Sequence, residues 1–146
     1  VWRSQAPSGG GGSNFLSHAF AFYDSTHRNV YIPITTESET TSRQRYNRWI
    51  APCAGTPKSI SWFSTGTLTS VGAPTKIEVY KMTGSTSFVI IGTAFFGTIT
   101  GYVGQVQNFG STSAFAAGDC LYFFITNNFG TQAVGNVTGT ILFDVT

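Results

Sequence analysis

The sequence predicts an all-β sandwich, and three observations carry that prediction. Apolar and polar residues alternate in short runs along most of the chain. Clusters of Gly, Asn, Asp, Ser and Pro separate the runs, and no stretch shows the 3.6-residue period of an amphipathic helix. The clearest run is the last. In Val137-Thr-Gly-Thr-Ile-Leu-Phe-Asp-Val145, residues Val137, Gly139, Ile141, Phe143 and Val145 share one face, and Thr138, Thr140, Leu142 and Asp144 the other. A period of two is what a half-buried strand requires.

Residues 1–13 contain Pro7-Ser-Gly-Gly-Gly-Gly-Ser13 and read as a flexible arm. Trp2 and Arg3 precede the glycines, which makes them a candidate docking arm; a plain disordered terminus is the alternative. Residues 14–146 form the β domain. Its first strand runs from Asn14 to Tyr23, and Asp24 to Asn29 is a turn cluster. Val30 to Ile34 follows as an edge strand, because Pro33 has no amide hydrogen to donate to a sheet. Thr35 to Arg48 is polar and reads as a long surface loop with room for one helical turn. Lys58 to Ser64 puts Ile60 and Trp62 on one face, against Ser59, Ser61 and Phe63. Gly66 to Pro74 reads as a loop. Thr75 to Met82 sets Ile77 and Val79 against Lys76, Glu78 and Tyr80, and Thr83-Gly-Ser85 turns the chain. Ser87 to Thr100 holds one or two strands broken at Gly92 and Gly97. Tyr102 to Phe109 is a further strand, with Val106 on the Tyr102 face. Ser111 to Asp119 connects to Leu121-Tyr-Phe-Phe-Ile125, which is apolar on both faces as a doubly buried central strand would be. Asn127 to Asn136 is a turn-rich loop before the final strand. About eight antiparallel strands separated by turns fit a jelly-roll sandwich, two sheets closed by long connections.

Composition narrows the function. The chain has 146 residues, room for one domain with a real core. Only 10% of residues are charged, against roughly 25% in an ordinary soluble domain, while 15% are aromatic. So little charge implies a surface partly covered by partner molecules. A net charge of +2 is too small to point to nucleic acid, and no apolar run is long enough to insert in a membrane. The chain opens on Val1, as a processed product or a fragment would, and its first residues lack the apolar centre of a secretory signal. Cys53 and Cys120 are two buried thiols or one disulfide; spacing cannot decide between them.

Residues for catalysis are scarce. His18 and His27 lack metal-site spacing, there is no Cys-x-x-Cys, and no serine sits in a Gly-x-Ser-x-Gly elbow. Glu37 and Glu39 lie close enough in sequence to share a side of an extended loop, where solvation explains them as well as acid–base chemistry. No phosphate-binding glycine loop occurs, and neither a metal nor a cofactor is expected. The chain is therefore read as non-enzymatic. One charge cluster stands out: Arg43, Arg45, Tyr46, Arg48 and Trp49. Guanidinium groups beside rings can hold an acidic or sugar-bearing surface; alternatively, the arginines pair with Glu37 and Glu39. Asn136-Val-Thr138 matches an N-glycosylation acceptor, which matters only in a eukaryotic secretory pathway.

Several short motifs occur in a telling order: Tyr31-Ile-Pro-Ile34, Glu39-Thr-Thr41, Trp49-Ile-Ala-Pro-Cys-Ala-Gly55, Lys58-Ser-Ile60, Lys76-Ile-Glu-Val-Tyr-Lys81, Phe115-Ala-Ala-Gly-Asp119 and Val137-Thr-Gly-Thr-Ile-Leu-Phe143. Over residues 30–146 this order resembles the jelly-roll domains of bacteriophage virion proteins, similar in shape to the trimeric heads of C1q and tumour necrosis factor. The resemblance implies a homotrimer on the virion surface, in contact with other virion proteins. It would act as a tail-fibre head or receptor-binding tip on a host surface glycan or protein, or as a capsid knob. Capsid cement or decoration without receptor binding is an alternative, as is a C1q-like or lectin-like carbohydrate-binding domain. No collagen-like or heptad shaft precedes the head, which departs from a complete fibre.

Overall fold

The computed structural model describes residues 14–22, 29–34, 42–43, 45–69, 74–126 and 136–146. Among them are eleven strands and no α-helix: β1 (Asn14–Phe22), β2 (Val30–Tyr31), β3 (Trp49–Ile50), β4 (Gly55–Phe63), β5 (Leu68–Thr69), β6 (Thr75–Met82), β7 (Phe88–Phe96), β8 (Thr98–Ile99), β9 (Gln105–Asn108), β10 (Cys120–Thr126) and β11 (Val137–Val145). One short 3-10 helix, Arg45–Asn47, supplies the helical turn expected in the polar loop.

The strands form two antiparallel main sheets. Sheet A has the order β1-β11-β4-β9. Sheet B has the order β2-β10-β6-β7, with β3 also paired to β10. A separate ribbon pairs β5 with β8. The core lies between sheets A and B. Leu16, Phe20 and Phe22 of β1, Ile60 and Trp62 of β4, and Ile141 and Phe143 of β11 face Ile77 and Val79 of β6, Ala94 and Phe96 of β7, and Leu121, Phe123 and Ile125 of β10. The period-two pattern of the final run is thus explained: its Val137–Ile141–Phe143 side is the floor of this core.

Gly139 shows why that face contains a glycine. A Cβ there would strike the Phe20 ring and the Ser61 carbonyl oxygen, and the opposite position on β4 is Trp62. The smallest residue makes room for the largest. The Phe115–Asp119 turn has an equally local cause. Gly118 takes a φ of 88°, which glycine adopts without steric cost, and its N–H donates to the Ala51 carbonyl at 2.7 Å. The Asp119 carboxylate accepts from the Ala116 N–H at 2.8 Å and lies 3.7 Å from Lys81 Nζ.

Three sequence expectations need correction. Gly92 does not break its strand: β7 runs through it, the register with β6 shifts there, and the glycine lets Pro57 pass within 3.2 Å of where a Cβ would be. The 66–74 loop contains β5, whose two residues are too few to show a period. Tyr102 belongs to no strand, since a left-handed turn with φ 61° at Tyr102 precedes β9. The cysteines are both free thiols: Cys53 packs on the main core and Cys120 on the outer side of sheet B. The 1–13 arm, with Trp2 and Arg3, lies outside the described residues, as do His27, Glu37 and Glu39.

Candidate ligand-contact surface

The arginine cluster leads to the outer face of sheet B. Strand alternation brings Tyr122 and Phe124 of β10 to this face while Leu121, Phe123 and Ile125 point into the core. Tyr80 and Met82 of β6 and Tyr31 of β2 join them. The result is a second, smaller cluster of rings. Tyr80 lies parallel to Phe88 (centroids 4.5 Å apart, 15°) and to Phe124 (5.4 Å, 19°). Tyr31 meets Phe124 at 4.8 Å and Tyr122 at 5.6 Å.

The polar loop clasps this cluster. Asn47 is fully buried, and its Nδ2 donates to the Ser42 carbonyl at 3.1 Å, which closes the 42–47 turn on itself. Two arginines on either side of that turn then reach the rings. The Arg43 guanidinium sits 5.1 Å from the Phe88 centroid, and its Nη1 approaches Met82 Sδ at 3.8 Å. Arg48 Nε donates to the Tyr122 hydroxyl at 2.8 Å. Of the candidate contact residues, Arg43 and Arg48 are therefore brought together on one shelf, and Arg45 is exposed on the 3-10 turn between them. The Tyr46 side chain lies outside the described residues.

Trp49 is placed elsewhere. It is 8% exposed, lies parallel to Phe143 (4.6 Å, 11°) and meets Phe115 edge-on. The reason is alternation again. Once Arg48 points outward to Tyr122, the next residue of the strand must point inward, and Ile50 turns out once more at 56% exposed. Trp49 thus pins the loop to the core from beneath and lines no outer groove.

The electrostatics of the shelf follow from burial. Burial, then the neighbouring Glu78 carboxylate, pushes the Tyr80 phenol up to about 12. Burial also raises Tyr31. The bond to Tyr122 holds Arg48 further above its ordinary value. Burial raises the Cys120 thiol too, outweighing the nearby Arg48 and Tyr122, so this sulfur is not an activated nucleophile. Glu78 is 4% exposed and paired to Lys76 Nζ at 2.8 Å. All three carboxylate ion pairs among the described residues use lysines: Lys58–Asp144, Lys76–Glu78 and Lys81–Asp119. The shelf can therefore offer guanidinium donors above the Tyr31 and Tyr80 phenols, which burial keeps protonated. Among the described residues no group of three His, Cys, Asp or Glu side chains could hold a metal ion.

The sequence reading missed Tyr31, Tyr80, Met82, Phe88, Tyr122 and Phe124 as one surface. A signal was present: Glu78, Tyr80 and Met82 alternate along β6, as Tyr122 and Phe124 do along β10. What joins them is pairing of strands far apart in the chain, Tyr122 opposite Tyr80 and Phe124 opposite Tyr31. No protein-family model and no curated protein matches this chain.

Proposed function

We propose that this chain is a non-enzymatic structural module of a phage virion surface, a jelly roll that works as a homotrimer. Strand order supports the jelly-roll reading. Set aside β3, β5 and β8 and keep β2, which also has only two residues, and the strands pair first with last (β1·β11), second with second-last (β2·β10), and inward to β4·β9 and β6·β7. A long antiparallel hairpin wrapped into two sheets gives that nesting.

The observation that carries the trimer is the outer face of sheet A. It is built of Ser17, Ala19, Ala21, Thr138, Thr140 and Ser61, with Leu142 and the 41% exposed Phe15 beside them and, among the described residues, the ion pair Lys58–Asp144. Phe63, Tyr102, Val103 and Val106 stand exposed at one side of it. A smooth, almost uncharged face with uncovered rings suits burial against identical neighbours. Contact with the host or with the particle falls to the Arg43–Arg48 shelf, where three copies would multiply weak binding.

Light scattering on the purified chain tests assembly: a particle of three times the 15.7 kDa chain mass is expected, and a 15.7 kDa particle at micromolar concentration overturns the trimer. Antibody labelling of assembled particles from the source tests location; surface label at three-fold positions is expected, and particles free of label overturn the virion assignment.

A further inference from the structure

We propose that the open end of β7, residues Phe88 to Ile90, takes up an extended acidic segment of another protein as an added antiparallel strand. The inference deepens the reading of the Arg43–Arg48 shelf as a contact surface, on which it rests for Arg43, and it does not depend on the trimer.

Strand β7 is the last of sheet B, and its two halves differ. From Ile91 onward the edge is taken. Thr93 and Gly110 exchange backbone hydrogen bonds at 3.1 and 2.8 Å, and the Ser113 N–H donates to the Ile91 carbonyl at 3.0 Å. The 110–113 segment thus lies antiparallel against β7 and covers it as an extra strand would. The bulge at Ile91 marks the boundary. Before it the edge is bare. The Thr83 N–H donates to the Ser87 carbonyl at 3.0 Å, so Ser87 bonds inward across the hairpin. Alternation along an antiparallel ladder then turns the N–H and C=O groups of Phe88 and Ile90 away from β6. Among the described residues, which include 74–126 without a break, no backbone bond from outside β6 reaches either one.

The side chains match this backbone. Phe88, Val89 and Ile90 are 41%, 44% and 49% exposed. Edge strands are ordinarily guarded by lysine, proline or a bulge. These three residues carry no charge, and the bulge lies beyond them. An apolar edge with unused donors and acceptors is what strand addition requires: main-chain bonds supply affinity, and alternate side chains supply selection.

Charge selects the partner. The Arg43 guanidinium lies 5.1 Å from the Phe88 centroid and pairs with no carboxylate among the described residues. Lys81, opposite Val89, is already held by Asp119 and the Ala114 carbonyl. The unmatched charge at this edge is therefore positive, and a strand with an acid on the Phe88 face would complete it. A second copy does not fit. Phe88–Phe96 contains no acidic residue, so β7 against β7 would bring two guanidiniums together with no carboxylate from either strand.

The test is binding of a capped, labelled peptide, Thr-Val-Glu-Val-Thr-Val, to the full chain, read by fluorescence anisotropy up to about one millimolar. Lysine in place of its glutamate should weaken binding about tenfold, and Arg43→Glu should reverse that preference. Methylating the backbone nitrogens of the glutamate and both threonines, which face Phe88 and Ile90, should abolish binding, and methylating those of the valines should not. Ile90→Lys should abolish it too while the chain stays folded. No binding of the glutamate peptide, or equal loss from both methylation patterns, overturns strand addition; the methylated peptides decide this even if a variant fails to fold. Indifference to the lysine exchange overturns the acidic partner. Light scattering keeps this apart from the trimer: Ile90→Lys should assemble as the wild type does. Assembly lost in Ile90→Lys shows that a second copy holds the edge and overturns the proposal. A monomeric wild type that binds the peptide overturns the trimer alone.

Discussion

The outer faces of the two sheets are built on opposite plans. Sheet B turns tyrosines, phenylalanines and a carboxylate outward and buries Tyr31, Tyr80, Tyr122 and Glu78 among them, while Phe88 and Phe95 stay exposed; Tyr122 there is 1% exposed. Sheet A turns mostly alanine, serine and threonine outward, with Phe15 and Phe63 left partly exposed among them. Both are outer faces of one sandwich with a shared core, so the contrast comes from side chains alone. The Tyr31, Tyr80 and Tyr122 rings are buried within the chain, which is worth a few kcal/mol each. Small residues have far less to gain from cover.

The largest effect should separate the two faces directly. Tyr122→Ala removes a fully packed ring and leaves Arg48 without its acceptor, and should cost about 3–4 kcal/mol in urea denaturation. Thr140→Ala on the other face should stay within about 0.5 kcal/mol. Equal losses would show that sheet A's face is as tightly covered as sheet B's. Next in size is Lys76→Ala, which strands the Glu78 carboxylate on the inner part of the shelf. The loss should be about 2 kcal/mol, and Glu78→Gln in the same chain should restore part of it.

Smaller effects probe the clasp. Tyr122→Phe deletes one hydrogen bond to Arg48 and should cost about 1 kcal/mol. Arg43→Ala should cost about 0.5–1 kcal/mol through its contact with Phe88, and Arg43→Gln should fare no better, since it keeps length but loses the charge over the ring. A clasp that tolerates both changes without loss would mean that Trp49 alone holds the loop.

The mildest effect belongs to His18 on the core side of sheet A. Its Nε2 is buried without a partner, and burial lowers its pKa below 6.5. The unfolded chain therefore binds this proton first as pH falls. Stability from the neutral imidazole is complete above about pH 6.5 and is lost between there and the lower folded value. The denaturation midpoint of the wild type should drop over that window more than that of His18→Leu. Parallel curves would contradict the burial argument.

The fold was largely legible because burial writes a period of two into each long strand. The Thr75–Met82 run fixes both bounds of β6, and Val137–Val145 fixes β11. Short-range signals failed where the structure is set by distant atoms. Gly92 has the appearance of a strand breaker, yet it stays paired with Val79 beside a bulge at Ile91, and the lack of a Cβ there lets Pro57 of β4 come close. Tyr102 follows the strand pattern, but hydrogen bonds from the 64–67 segment fold it into a turn. The site was legible in half. Arg43 and Arg48 were visible as a cluster, whereas the rings beneath them come from β2, β6, β7 and β10, and only pairing across the chain assembles them. Trp49 was misleading because an aromatic residue next to arginine looks like surface, while alternation after Arg48 sends it inward.

The central position of β11 has a consequence for how the molecule is made. Asn14 lies opposite Val145, and β11 sits between β1 and β4. While the ribosome is still translating residues before 137, β1 has no neighbour in its sheet and β4 lacks one flank. The sandwich therefore closes only once β11 has been made, and its many sequence-distant pairings make that step slow.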